Sequence, residues 1–231
     1  MTNRPVFVPT RQAFPLVVER SVPFRWNAGF SISQKRKNVA ALHSAARSAG
    51  IGHLLEVSTK SEEDIGCDLS AFNLHVGVGP GWTAPIEVAY QGSKVFEEGG
   101  PYVDLFSVSP REAKMDLRLK QSGALIGFEF GGLHFPLSPP TAFYDWLFLR
   151  AFVRKKDLLS RIMEYDGFTD IEFNPAKSLN CQARACAAAV SLTTTGELNV
   201  FAKSFARFAS RLAGLDQTAP GQLPAQHSLA V

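Results

Sequence analysis

The apolar and polar positions change period several times along the chain, and each change marks an element. Ser33 is placed to cap a helix running through QKRKNVAALHSAARSA, with Gly50 as its stop. Val39, Ala40, Leu42, Ala46 and Ala49 form its small-residue inner face. Leu54 to Ser58 reads as a strand, TKSEEDIGCD as a loop, and Phe72 to Val78 as a second, alternating strand that ends in a turn at Gly79, Pro80 and Gly81. Residues Glu87 to Glu97 fit a helix, although Gly92 weakens it by about 1 kcal/mol relative to alanine. SPREAKMDLRLK opens another helix, with Ser109 as cap, Pro110 at the first helical position, Glu112 closing a capping box, and Gly123 as the end. ALIGFEF is a strand. SPPTAFYDWLFLRAFVRKKDLLSRIMEY is one helix or two, with a break near Arg154, Lys155 and Lys156. SLNCQARACAAAVSL is a helix of small residues that allow close burial, and 197–213 is a last amphipathic helix. From Gly214 the tail carries two prolines and no periodicity, the pattern of a disordered end. Helices interrupted by a few strands predict an α+β domain over 1–213 followed by a tail over 214–231.

Composition changes this picture little. The 231 residues suffice for one sizeable core, and 45% apolar with 19% charged residues is ordinary globular composition. The net charge of +3 permits nucleic acid without demanding it. No apolar run reaches the ~20 residues of a membrane helix, and MTNRPVFVPT lacks the apolar core of a signal peptide. Cys67, Cys181 and Cys186 have no CxxC spacing, and His43, His53, His75, His134 and His227 form no ligand pair. A reduced, cytoplasmic protein without metal is the expectation. Phosphate-loop, dinucleotide-binding, nucleophile-elbow and zinc signatures are all missing.

Candidate chemistry sits in three stretches. On a helix, Glu87, Gln91 and Lys94 fall at i, i+4 and i+7 and share one face. Spacing alone favours a solvated polar face. Against that stand the apolar neighbours Tyr90, Val95 and Phe96 and the small residues Gly92 and Ser93, which allow a close approach. A lysine desolvated there loses its charge more easily and becomes a nucleophile. NPAKSLNCQAR places Asn174, Ser178 and Asn180 around a helix start, where backbone amides favour anions, although simple capping by Ser178 is the commoner use. The hydroxyl-rich loop STKSEEDIGCDLSAFN suits a phosphate or sugar, and most such loops only make turns. The clusters Lys35-Arg36-Lys37 and Arg154-Lys155-Lys156 are more often solvated helix faces than nucleic-acid contacts. Of Trp26, Trp82 and Trp146, the last reads as core. Asp145 beside it is either a satisfied structural acid or part of a site.

In order along the chain, LSAFN, IEVAYQGSKVF, SPREAK, FYDWLFLRAF, LLSRIMEYDGFTDIEF and SLNCQAR resemble the NADAR family. More closely, the chain resembles the NADAR antitoxins paired with guanine-directed DarT-type DNA ADP-ribosyltransferase toxins. The likeness runs from NRPVF to about Leu192. It implies a compact α+β glycosidase fold and hydrolysis of an N-glycosidic bond, with ADP-ribosylated guanine in DNA as substrate and free ADP-ribose as product. It implies no cofactor and no membrane, and a functional pairing with the toxin. Lys94 matches the family's Schiff-base lysine and Glu87 the acid that precedes it, serving as acid to the leaving base or as base in the later hydrolysis. Ser70, Phe72 and Asn73 match the first substrate-binding motif, and Ser178 and Asn180 the later one. Gln91 and Asp145 complete the expected substrate contacts. Members acting on small riboflavin-pathway metabolites carry a tryptophan- and glycine-rich stretch where this chain has DIEFNPAKS, which favours the antitoxin branch. Two alternatives stay open: an N-glycosidase of a small nucleotide metabolite, and an antitoxin that neutralises its toxin by binding alone.

Overall fold

In the computed structural model the described residues are 1–176 and 178–215. The chain runs β1 (Thr2–Pro9), β2 (Val17–Phe24), α1 (Ile32–Ser48), β3 (Leu54–Glu56), α2 (Asp64–Asp68), β4 (His75–Gly79), β5 (Trp82–Pro85), α3 (Ile86–Gly92) and β6 (Lys94–Phe96). A 3-10 turn (Val103–Ser107), α4 (Pro110–Met115), α5 (Arg118–Gln121), β7 (Leu125–Phe130) and β8 (Leu133–Phe135) follow. The last elements are α6 (Ala142–Arg154), α7 (Lys156–Ile162), β9 (Gly167–Thr169), α8 (Gln182–Thr194), α9 (Leu198–Lys203) and α10 (Phe205–Leu212). This is the α+β class expected.

The largest sheet has the order β2-β1-β9-β3. β1 and β2 are antiparallel from Thr2↔Phe24 to Pro9↔Val17, and β3 runs parallel to β9 with Leu55 opposite Phe168. Both β1 and β2 escape the sequence pattern, because Pro5, Pro9 and Pro23 break the usual strand signature. A β4–β5 hairpin and the antiparallel β6-β7-β8 sheet complete the strands.

The centre is helical. α6 and α8 pack side by side, and nearly every residue from Ala142 to Leu149 and from Ala185 to Leu192 is buried. The alanines and Cys186 of α8 let its backbone come close, while α6 fills the space with Phe143, Phe148 and Phe152. Trp146 is core as expected, its indole donating to the Phe201 carbonyl at 3.1 Å.

Several boundaries differ from the pattern, each for a local reason. α1 is capped by Ser31, whose hydroxyl accepts from the Gln34 amide, and Ser33 only pairs with it. Ala40 and Ala49 face solvent, and Asn38 takes a place on the buried face, bonded to Asn27. The 59–68 loop contains α2. The strand expected from Phe72 starts at His75, since Ser70 to Leu74 is a turn closed on the Ser70 carbonyl. Ser109, Pro110 and Glu112 form the expected capping box, but the helix breaks at Asp116, whose carboxylate holds the Arg118 amide and guanidinium. The long helix divides at Lys155 into α6 and α7. The final helix is two, divided at Ser204, which caps α10. α10 closes through Gly214 at φ +72° and the Leu215 amide on the Ser210 carbonyl. From 216 onward the tail lies outside the described residues.

The difference with most consequence is at α3. No helix runs from Glu87 to Glu97. It stops at Gly92, and Lys94 begins a strand paired with Phe128. A Cβ at Gly92 would lie 2.5 Å from the Phe106 ring and 2.9 Å from the Tyr102 carbonyl, so the 3-10 turn packs directly on the helix end. Ser93 is buried and donates to the Ala89 carbonyl at 2.6 Å, and Val95 and Phe96 prefer the strand.

Asp145 proves fully buried on α6. It is paired with Arg184 of α8, and Thr141 donates to the same oxygen at 2.9 Å. Burial pushes its carboxyl up, and the guanidinium pulls it back. Arg184→Ala would strand that carboxylate and should cost about 3–5 kcal/mol in urea unfolding, with the Arg184→Met, Asp145→Leu double variant recovering most of it. A loss below about 1 kcal/mol for the single variant would show that the pair does not tie α6 to α8.

Candidate functional site

A cleft of about 630 Å³ opens where the 58–60 and 70–72 loops, α3, the start of β6, α4 and the 170–182 segment meet. Its construction begins at one backbone unit. The Ala71 carbonyl accepts from the Glu87 amide at the start of α3, and the Ala71 amide donates to Gln182 Oε1 at the start of α8. The loop carrying Ser70 and Phe72 is thereby fixed to both helices. Gly66 of α2 packs against the opposite loop, where a Cβ would lie 2.1 Å from the Glu56 carbonyl, so α2 holds residues 56–61 in place without a side chain.

Glu87, Gln91 and Lys94 all line the cleft, two from α3 and one from β6. Gln91 Nε2 donates to Glu87 Oε1 at 2.9 Å. Lys94 Nζ lies 4.9 Å from the centre of the Tyr90 ring. Burial lowers the Lys94 amine below its ordinary value, the Glu87 carboxylate acts to raise it, and Lys114 lowers it further. Tyr90 receives a hydrogen bond from Asn180 Nδ2 at 2.6 Å and stands edge-on to Tyr144, and its burial, with the Glu87 charge, pushes its hydroxyl up to about 12. Lys114 sits 5.8 Å from the Phe72 ring at the rim. Ser70 Oγ and Gln91 Oε1 are buried without a hydrogen-bond partner, and both belong to cleft residues.

Of the expected contacts, Ser70, Phe72, Gln91, Ser178 and Asn180 also border the cleft. Two do not. Asn73 is exposed and donates from its side chain to the Cys67 carbonyl, and Asp145 lies behind the wall. The helix expected to start near Ser178 starts at Gln182, because Cys181 is still extended, and Ser178 Oγ instead donates to the Asn180 carbonyl. Among the described residues no group of three potential ligands is placed to hold a metal ion. No helix among them is long and apolar enough to cross a membrane.

The wall formed by β3 and β9 was not among the sequence expectations. Their parallel pairing brings Glu56 and Asp170 together, a proximity with no signature along the chain. Glu56 accepts from Ser58 Oγ at 2.6 Å, Thr169 Oγ1 at 2.7 Å and the Ile171 amide at 2.8 Å. Asp170, which borders the cleft, accepts among the described residues only from the Glu172 and Phe173 amides. Burial, and then the Glu56 charge, hold the Asp170 carboxyl far above the usual range. With three donors around Glu56, the proton of the pair rests on Asp170. Keeping it there costs the folded state more as pH rises, from the unfolded-chain pKa near 3.9 up to the folded one. Asp170→Asn should therefore stabilise the protein near neutral pH, by at most about 1.4 kcal/mol for each pH unit above that value, and the gain should vanish near pH 4. Unfolding curves at several pH values check this, and a pH-independent effect would contradict it.

The chain matches the family described as DarT1-associated NADAR antitoxin over residues 2–221, nearly its whole length. Among curated proteins, none matches it.

Proposed function

We propose a reaction for this chain, which belongs to the family of DarT1-associated NADAR antitoxins: it hydrolyses the N-glycosidic bond between ADP-ribose and guanine in DNA. Membership itself carries the coarse role, an antitoxin that accompanies a DarT1-type toxin. The observation that carries the finer reading is a lysine with a depressed amine pKa in the same cleft as a buried glutamate.

In this reading the neutral Lys94 amine attacks the anomeric carbon of the ribose joined to the base. A bond forms from Nζ to that carbon. The bond to guanine breaks, and its electron pair leaves with the base. Glu87 takes the proton that the attacking nitrogen sheds and delivers it to the departing base. The ribose ring then opens, its ring oxygen takes a proton, and an imine links Lys94 to the sugar. Water adds to the imine carbon, the carbon–nitrogen bond breaks, and free ADP-ribose leaves with the lysine regenerated. Water enters once, so the net reaction is hydrolysis.

The remaining cleft residues have tasks that suit their chemistry. Gln91 uses its amide to hold Glu87, which leaves its unpartnered oxygen to accept a ribose hydroxyl. Ser70 offers a second unpartnered hydroxyl on the same wall. Lys60 and Lys114 supply positive charge for a pyrophosphate, and the Phe72 ring offers a face to a purine. Asn180, held by Tyr90, closes the side nearest α8.

The test uses DNA carrying ADP-ribose on guanine. The wild-type protein should release ADP-ribose, and borohydride added during turnover should trap an adduct that mass spectrometry maps to Lys94. Lys94→Arg should fold and show no turnover, because a guanidinium stays protonated. Glu87→Ala should lose ~10²–10⁴-fold in rate. An adduct on Lys60 or Lys114 would move the nucleophile. A protein that binds its toxin and releases nothing from the modified DNA would overturn the reaction.

A further inference from the structure

The basic edge of α1 continues the rim of the cleft. Lys35 pairs with Glu172 at 3.1 Å, and Glu172 borders the cleft. Lys60 borders the cleft, and two residues later Glu62 borders a shallow groove whose other walls are Ile32, Ser33, Arg36, Lys37 and Ala40.

The cations along this edge are not equivalent. Lys35 is half-buried and committed to Glu172, and it lies 5.7 Å from the centre of the Trp26 ring, which Arg4 also approaches at 5.1 Å. Arg36 and Lys37 are exposed and make no ion pair among the described residues. Just before the helix, the Phe30 side chain is 98% exposed, and Ile32 is 57% exposed. Phe30, two residues before Ile32 of the groove, buries almost none of its ring in the fold. By contrast, the second basic cluster, Arg154 to Lys156, sits at the α6–α7 break beside Gly77 and borders no part of the cleft.

We propose that this edge, Phe30 with Arg36 and Lys37, binds the single DNA strand flanking the modified guanine. The proposal rests on the reaction proposed above. Two features choose a single strand over a duplex. The scissile bond lies on the base itself and Lys94 is recessed in the cleft, so the modified base must leave any stack to reach it. An exposed aromatic ring is useful only against an unstacked base, and base–aromatic stacking tolerates any sequence. Arg36 and Lys37 take the phosphates on either side of that base, and the strand passes over Lys60 into the cleft. Glu62 opposes this charge and weakens the contact.

The test has two arms. In the first, fluorescence anisotropy follows binding of unmodified single-stranded oligonucleotide across a salt series. Relative to wild type, the Arg36→Glu, Lys37→Glu double variant should lose affinity and flatten the salt slope by roughly 1.4, about 0.7 for each phosphate contact. Phe30→Ala should weaken binding about fivefold with the slope unchanged. Glu62→Gln should tighten it. In the second arm, the same variants act on an ADP-ribosylated guanosine monophosphate, which cannot reach the edge, and should turn it over at the wild-type rate. On the modified oligonucleotide their KM should rise. Unchanged DNA affinity and slope would overturn the inference, as would variants that lose only toxin binding, which would make the edge a protein-docking face. The binding arm requires no turnover, so a wild-type protein that binds the strand but releases no ADP-ribose would defeat the reaction and leave the edge standing.

Discussion

The space at Gly92 that the Phe106 ring and the Tyr102 carbonyl occupy governs the arrangement of the cleft. Only glycine fits that space, and directly after it α3 ends, Ser93 donates back to the Ala89 carbonyl, and Lys94 enters the β6-β7-β8 sheet opposite Phe128. Had the helix continued, Lys94 would stand two turns above Glu87 on a common face, its amine free to reach solvent. The strand instead brings the amine against the Tyr90 ring, where burial weakens its charge. Glu87 remains on the helix, fixed at one end by the Ala71 carbonyl and at the other by Gln91. Helix and strand are rigid elements, and each carries one of the two groups that the proposed reaction needs.

Charge is distributed around the cleft in opposing pairs. Lys94 feels Glu87 as an attraction and Lys114 as a repulsion. Asp170 on the far wall holds a proton because Glu56 behind it is better served with donors. The negative charge of the pair therefore stays on Glu56, behind the residue that borders the cleft. Lys60 and Lys114 stay at the rim, where a pyrophosphate would meet them. The electrostatics thus fit a substrate that is anionic at one end and has a weakly charged reacting centre at the other.

Much of this was legible in the chain. The capping box at Ser109, the α6–α7 break at Lys155 and the buried small-residue helix α8 follow from local chemistry, and the structure has them. The three candidate stretches, 58–73, 87–94 and 174–184, all contribute to one cleft. Features set by through-space packing were not legible. The need for glycine at the end of α3 comes from an aromatic ring fourteen positions further along, at Phe106. The Glu56–Asp170 pair depends on a parallel strand contact between distant segments. Asn73 and Asp145 sit among motif residues yet point elsewhere, one to the Cys67 carbonyl and one to Arg184. Prolines hid β1 and β2.

If the fold holds the Lys94 ammonium below the ordinary lysine range through burial, its titration will show it. Reductive methylation with ¹³C label, assigned by comparison with Lys94→Arg, would follow the Lys94 resonance by NMR as pH is raised. A pKa below the ordinary lysine value near 10.4 is expected, displaced further down in Glu87→Gln, where the opposing carboxylate charge is gone. An ordinary value that does not move when Glu87 is neutralised would contradict it.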